Sequence, residues 1–300
     1  MDNLIAAIDV GTNSIITIIA KKQQNRIQVI EEDYQIIRLG EGLSSTGSIS
    51  PNAIQRCIKA FENIKSLLNQ YKISNINCVA TSAIRDAVNG IEVKNLIHKK
   101  FNIQIDVITG IEEAIIISNS TKHEFNLELG NSLIFDIGGG STELIFFENN
   151  CIQFCESIKI GAVRCTERFF KSDPVKNEEV DKLEEFIKKE LKILPSEKID
   201  FAIGIAGTVT TLASVNLRLE EYKCELIHKS ELTFSEINRI KNQFKISTLS
   251  QRKNIKGLDK KRAEVILAGT IICEQIMKKY NLEKIKVSDR GLRWGLLYEN

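Results

Sequence analysis

The stretch "LIFDIGGGSTELIFF", residues 133 to 147, sets an aspartate and a glycine-rich bend between two apolar runs. Two such runs around a bend predict a buried β-hairpin, and a plain hairpin needs only one or two turn residues, often Asn-Gly or Asp-Gly. This bend carries Asp136, Gly138, Gly139, Gly140, Ser141, Thr142 and Glu143. Backbone N–H groups, hydroxyls and carboxylates are crowded into one turn, which implies a polar ligand. Glycines let that ligand approach the backbone closely, and the amides of a tight turn form an anion-binding concavity.

A second copy stands at the N-terminus as "LIAAIDVGTNSIITIIA", residues 4 to 20. An offset of 127 aligns Asp9 with Asp136, Gly11 with Gly138 and Ser14 with Ser141. The flanking order repeats as well. A strand to Ala20 and another at Arg26 to Glu31 follow Asp9, while strands at Leu144 to Glu148 and near Ile152 to Ile158 follow Asp136. One D-x-G-x-x-S is a weak signal, and taken singly each turn is as well explained by Asp and Gly simply making a bend. Two copies, each opening a three-strand meander, indicate an internal duplication. Thr12, Asn13 and Ser14 then match the donors of the second turn. Asp9 and Asp136 carry the wrong charge for an anion unless Mg²⁺ or its waters lie between. A third glycine turn, "GIAGTV" with Gly207 and Thr208, ends a strand and opens a helix, another place that favours anions.

Between these turns, strands and helices alternate. Ser50 is the N-cap and Pro51 the first residue of a helix through "SPNAIQRCIKAFENIKSLLNQY". A strand at Asn77 to Ala80, a helix from about Asp86 to Lys100, a strand at Ile103 to Ile108 and a helix from about Glu112 follow. In the second half "NEEVDKLEEFIKKEL" is amphipathic, with acids early and lysines late as the helix dipole prefers. The strand "DFAIGIAG", the helix "TVTTLASV", helices at Ser235 to Phe244 and Lys261 to Tyr280, a strand at Lys284 to Val287 and a terminal helix complete the chain. The alternation predicts mostly parallel α/β sheets. Two halves, with no Pro-, Gly- or Ser-rich linker, are expected to pack with the paired turns facing across a cleft.

Composition excludes little and is ordinary for a globular chain, at 43% hydrophobic and 27% charged over 300 residues. A net charge of +2 leaves any polyanion to be held by a local patch. No apolar run approaches the ~20 residues of a membrane span, and the start Met1-Asp2-Asn3 lacks a signal peptide's basic region, so a cytoplasmic location is expected. Seven cysteines without C-x-x-C spacing or nearby histidine argue against zinc or a disulfide framework and are expected to be reduced core residues. Nine Lys or Arg lie from Arg239 to Arg262 with only Asp259 as acid. Such a run is either a solvated helical face or a track for a polyanion. It lacks interleaved aromatics, which argues against nucleic acid.

Taken together, "AIDVGTNS", "RLGEGL", "ATSAIRDAVNG", "GIEEA", "DIGGGSTEL", "GAVRCTERF", "GIAGTVTTLA", "RAEVILAG" and "VSDRGLRWGLL" resemble, in order, the exopolyphosphatase/guanosine pentaphosphate phosphatase (Ppx/GppA) family in its short two-domain form. The resemblance implies an α/β fold of two actin-like (ribonuclease H-like) domains, one over residues 1–123 with the terminal helix at about 290–300 packed back on it, the other over 124–289. It implies a Mg²⁺-dependent phosphohydrolase that releases terminal orthophosphate from inorganic polyphosphate, guanosine pentaphosphate or both, and a homodimer. Glu113 stands where the family has its catalytic base, while Glu143 and Asp136, with Asp9, stand where acids hold Mg²⁺ and position water. Without the family match Glu113 is more readily a solvated first-turn glutamate, the reading kept for Glu112. Arg85 matches a phosphate-contacting arginine, and Arg164, Arg262, Arg290 and Arg293 are further basic candidates. Two departures stand out. Many relatives carry a basic residue where this chain has Ile16 and an arginine where it has Ile115. An ATP-dependent kinase of the same superfamily, with "GIAGTVTTLA" as adenosine pocket, and a non-catalytic nucleotide sensor are the alternatives.

Overall fold

The computed structural model of the chain describes residues 4–23, 26–125, 127, 130–192, 194–195 and 198–298. The N-terminal tripeptide used to argue against a leader, and residues 299 and 300 of the expected terminal helix, lie outside the described residues. Two compact units divide the chain, Met1–Ser120 with Leu292–Asn300 and Thr121–Gly291.

The first unit contains β1 (Leu4–Val10), β2 (Ser14–Gln23), β3 (Arg26–Ile36), α1 (Leu43–Thr46), α2 (Pro51–Gln70), β4 (Asn75–Ala80), α3 (Ser82–Asp86), α4 (Gly90–Phe101), β5 (Asp106–Val107) and the start of α5 (Gly110–Glu124). Its sheet runs β3-β2-β1-β4-β5, with β1 antiparallel to β2 and parallel to β4. Ser50 accepts from the Ala53 amide and Pro51 opens α2, as its sequence dictates. Every third or fourth residue of α2, among them Ala53, Cys57, Phe61, Ile64 and Leu68, is buried in one core with Ile8 and Ile19. The helix expected over 86–100 is present as α4 but starts at Gly90, with the separate short α3 ahead of it. A Cβ on Gly90 would lie 2.0 Å from the Ile84 carbonyl oxygen, so only glycine allows that approach. Asn89 adds a pair of 2.9 Å bonds to the Ile49 backbone that turn the chain. The strand expected over 103–108 shrinks to β5, because Ile103 and Ile105 are taken into the core ahead of the ladder.

The second unit contains β6 (Asn131–Ile137), β7 (Thr142–Glu148), β8 (Cys151–Ile158), α6 (Ala162–Phe169), α7 (Asn177–Leu191), β9 (Phe201–Ile205), α8 (Ala206–Asn216), α9 (Cys224–Ile227), β10 (Glu231–Thr233), α10 (Phe234–Ile246), α11 (Leu249–Arg252), α12 (Ile266–Lys279) and β11 (Lys284–Val287). The order β10-β11-β9-β6-β7-β8 repeats the first sheet, with β6-β7-β8 as meander, β9 and β11 as parallel strands, and β10 added antiparallel at the edge. This is the duplication read from the offset, and both units are α/β with the same strand plan. Along α12 every residue from Ile266 to Met277 is buried, Glu274 included. It starts at Ile266 rather than Lys261, and Arg262 sits in the preceding turn, its amide donating to the Asp259 carbonyl at 2.9 Å. The last helix, α13 (Leu292–Tyr298), belongs to the first unit, where Asn77 donates to the Leu296 carbonyl at 3.3 Å. No helix among the described residues is long and apolar enough to cross a membrane.

Two expectations fail on burial. Cys57, Cys78, Cys165 and Cys273 are core residues, and burial pushes the Cys57 and Cys165 thiols up to about 12, but Cys151 is exposed and Cys155 and Cys224 are half-buried. Cys151 and Cys155 lie on β8, an edge strand with mostly half-exposed positions. Neither is the basic run one solvated face. Lys241 is buried against Glu274 at 2.8 Å, and Arg252 is only 4% exposed, which interrupts any track from 239 to 262.

Within the second unit the carboxylate of Glu124, at the end of α5, collects His228 at 3.2 Å, Lys229 at 3.3 Å and Arg290. Burial alone would raise its pKa, but the His228 hydrogen bond and the Arg290 charge outweigh it and bring it down to about 2. A depressed carboxylate stabilises the fold above its unfolded pKa and loses that contribution as pH falls through the folded one. The contribution, on the order of 3 kcal/mol, is therefore expected to vanish between about pH 4.5 and pH 2. Acid unfolding followed by circular dichroism should show a shallower pH dependence in Glu124→Gln over that window. Parallel curves would contradict the assignment.

Candidate active site

Each unit holds one glycine turn between its first two strands, and both are closed by the same bond. Gly11 donates to the Ser14 carbonyl at 2.9 Å and Gly138 to the Ser141 carbonyl at 3.0 Å. In the first turn the Thr12 carbonyl accepts from Gly40 at 2.9 Å, and that of Asn13 from Ile37 and Arg38 at 3.0 and 2.9 Å. In the second, Ala162 and Val163 donate to the Gly138 and Gly139 carbonyls at 2.9 Å, and Arg164 Nε to that of Gly140 at 2.8 Å. The amides of Thr12, Asn13, Gly139 and Gly140 donate to no acceptor among the described residues. Carbonyls turned inward and amides turned outward make an anion nest. Asn13 Nδ2 is also buried with no hydrogen-bond partner. The Thr12 hydroxyl lies 2.7 Å from that of Ser82, and Ser141 is 5% exposed. Thr142, expected to be a phosphate donor, instead donates its hydroxyl to the Ile160 carbonyl at 2.6 Å and serves the fold.

The adjacent acids at the start of α5 divide their roles. Glu112 reaches back to the Thr109 amide at 2.7 Å, and that backbone bond, with the Thr109 hydroxyl, holds its carboxyl below the usual range. It is exposed, as expected of a first-turn glutamate, and its carboxylate caps the helix. Glu113 is 8% exposed and lies 3.5 Å from Arg85 Nη1, which also donates to the Ile108 carbonyl at 3.0 Å. Arg85 thus sits beside Glu113 with its guanidinium tied to the backbone.

In the second unit Asp136 and Glu143 face each other across β6 and β7, so both carboxylates stand on one face of the sheet. Glu143 is fully buried, and Ser157 on β8 donates to its Oε1 at 2.7 Å. Ser157 escaped the sequence reading because its register depends on a bulge at Phe146/Phe147. In the first unit the same cross-strand position opposite Asp9 is Ile16, so the duplication keeps one acid there and two in the second unit.

The third turn is less open than expected. The Arg262 guanidinium covers Gly207, where a Cβ would lie 2.0 Å from Nη1. Thr208 is 4% exposed, with its hydroxyl 3.3 Å from the Ile137 carbonyl. Arg290 is paired with Glu124, and Arg293 with Glu32 at 2.6 Å. Both arginines are thus engaged in ion pairs.

Among the described residues no three His, Cys, Asp or Glu side chains form a cation cage. Mg²⁺ does not need one, since it commonly takes one or two carboxylates and completes its shell with water and substrate phosphates. The paired carboxylates of Asp136 and Glu143, hard oxygen donors on one face, fit that requirement.

The profile of the Ppx/GppA phosphatase family matches residues 18–300. The chain is 36% identical over 307 aligned positions to a bifunctional 3-dehydroquinate synthase/phosphatase of Fusobacterium nucleatum, covering 98% of this chain and 46% of that protein. It is 29% identical to exopolyphosphatase 2 of Mycobacterium tuberculosis, with 97% of each chain covered. Among solved structures, an exopolyphosphatase from Cytophaga hutchinsonii superposes with a TM-score of 0.92 at 28% identity, covering 99% of this chain and 97% of the other.

Proposed function

The chain belongs to the Ppx/GppA phosphatase family, and on that premise we propose that it hydrolyses the terminal phosphoanhydride bond of inorganic polyphosphate, and more slowly that of guanosine pentaphosphate. The observation that carries this reading is the repeated turn. In both units its carbonyls are hydrogen-bonded, which leaves its amides available to an anion. A phosphoryl group needs such donors, charge neutralisation and a carboxylate to handle the attacking water.

In this reading the oxygen of water bonds to the terminal phosphorus, the bridging P–O bond breaks, and the chain leaves one phosphate shorter. Glu113 takes the water proton, with Arg85 fixing the carboxylate. Asp136 and Glu143 are the residues that would hold Mg²⁺, which when bound neutralises charge on the phosphate oxygens. Ser157 keeps Glu143 in one orientation, and the turn amides bind the phosphoryl oxygens. The expected homodimer and cytoplasmic location belong to the same proposal.

The preference for polyphosphate rests on two positions that lack a cation. Ile16 and Ile115 are neutral where many relatives are basic, and both side chains are at least partly exposed. Each lost charge-assisted contact is worth about 1.5–3 kcal/mol, felt fully by a short, dense phosphate group and diluted along a polymer. The end-to-end match to a protein named exopolyphosphatase supports the same choice. Competition at fixed Mg²⁺ and salt should give the higher kcat/KM to polyphosphate. Ile16→Arg should shift the ratio roughly tenfold toward guanosine pentaphosphate, the value of one restored contact. A wild-type ratio at or below one, unmoved by the substitution, would sink the preference. Orthophosphate release from ATP alone would favour the kinase alternative's nucleotide site.

A further inference from the structure

The carbonyls of the first turn are held by backbone amides, those of Gly40, Ile37 and Arg38. The second turn is held the same way at Gly138 and Gly139, but the Gly140 carbonyl is held by a side chain, Arg164 Nε at 2.8 Å. That contact has a consequence fixed by covalent geometry. In a trans peptide the C=O and the N–H of the following residue share a plane and point in opposite directions. Locking Gly138 O aims the Gly139 amide, locking Gly139 O aims that of Gly140, and locking Gly140 O aims that of Ser141. The Ser141 amide donates to no acceptor among the described residues. There is no slack behind the turn, since a Cβ on Gly161 would lie 2.4 Å from the Gly139 carbonyl carbon and 2.5 Å from the Gly140 nitrogen.

We propose that Arg164 is a positioning residue for the terminal phosphoryl group. Its guanidinium holds the peptide plane of Gly140 and Ser141 so that a third amide joins those of Gly139 and Gly140 as a phosphate donor. It also brings a fixed positive charge to the back of a turn that the acids Asp136 and Glu143 flank. The ligand class is a phosphoryl group bearing three terminal oxygens, whether on a polyphosphate end or as free orthophosphate. This rests on the function proposed above. It adds a removable device, because the guanidinium can be deleted while every backbone lock of the turn remains.

The test compares wild type with Arg164→Ala and Arg164→Gln. It measures orthophosphate binding by calorimetry and orthophosphate release from polyphosphate, each with and without millimolar guanidinium ion. Both variants should lose roughly 10–100-fold in orthophosphate affinity, the scale of one or two charge-assisted contacts. Release should fall chiefly through a raised KM, and guanidinium should restore Arg164→Ala several-fold while leaving the space-filling Arg164→Gln unrescued. Wild-type phosphate affinity in either variant, or loss in Arg164→Ala without rescue, would overturn the proposal. Should Arg164→Ala fail to fold, Arg164→Gln carries the binding measurement. If wild type binds orthophosphate but releases none from any phosphoanhydride, the hydrolase reading fails, and the binding ratio still decides the role of Arg164.

Discussion

Replacing Glu113 by glutamine is expected to lower turnover by roughly 10²–10⁴-fold, the usual contribution of a positioned general base. The change keeps size and hydrogen-bonding shape but cannot accept the proton. Two features make the effect specific to this carboxylate. Glu112, its neighbour, is committed to the Thr109 amide and hydroxyl and cannot substitute. Arg85, anchored on the Ile108 carbonyl, lies 3.5 Å from Glu113. Because glutamine can still accept from Arg85, substrate affinity should change little, and the loss should lie in kcat. Orthophosphate release at wild-type rate from Glu113→Gln would end the assignment.

The second large effect is expected at Glu143. This side chain is fully buried, and Ser157 donates to one of its oxygens. Glutamine fills the same volume and its amide oxygen can still accept from Ser157, so no buried donor there is left unsatisfied. Glu143→Gln is therefore expected to keep its melting temperature within a few degrees of wild type. If Glu143 and Asp136 hold Mg²⁺, the variant should lose about 100-fold in rate at ordinary Mg²⁺, the scale associated with a lost electrostatic group at a reacting centre. Its half-saturating Mg²⁺ should rise in parallel. A Mg²⁺ titration superimposable on wild type would remove Glu143 from any metal role.

Much of the architecture could be read from one repeated phrase. The offset between Asp9 and Asp136 correctly foretold that β1-β2-β3 and β6-β7-β8 would be equivalent meanders, because a hairpin is a local object whose turn chemistry is written in the sequence. Helix α7 was equally legible from its amphipathic pattern and charge order, and it spans Asn177–Leu191. What escaped was set by contacts between distant residues. The separation of α3 from α4 depends on the Ile84 carbonyl lying against Gly90, and on Ile49 claiming Asn89. The start of α12 at Ile266 instead of Lys261 follows from turns built on Asp259 and Arg262. Burial of Lys241 and Arg252 within a run of cations depends on Glu274 and Asp173, far away in the chain. At the site, the turns and acids were legible as residue types, whereas the supporting contacts of Ser157, Arg164 and Arg262 were not. A serine on an edge strand or an arginine in a helix has no local signature for the atom it will meet.

The central claim, attack by water on a terminal phosphoryl group, is tested most directly by hydrolysis of polyphosphate in ¹⁸O-labelled water. Each orthophosphate released by the wild-type chain should carry one oxygen from solvent in addition to its original ones, and Glu113→Gln should release almost none. Release of unlabelled phosphate, transfer of the phosphoryl group to another acceptor, or equal labelled release from Glu113→Gln would contradict it.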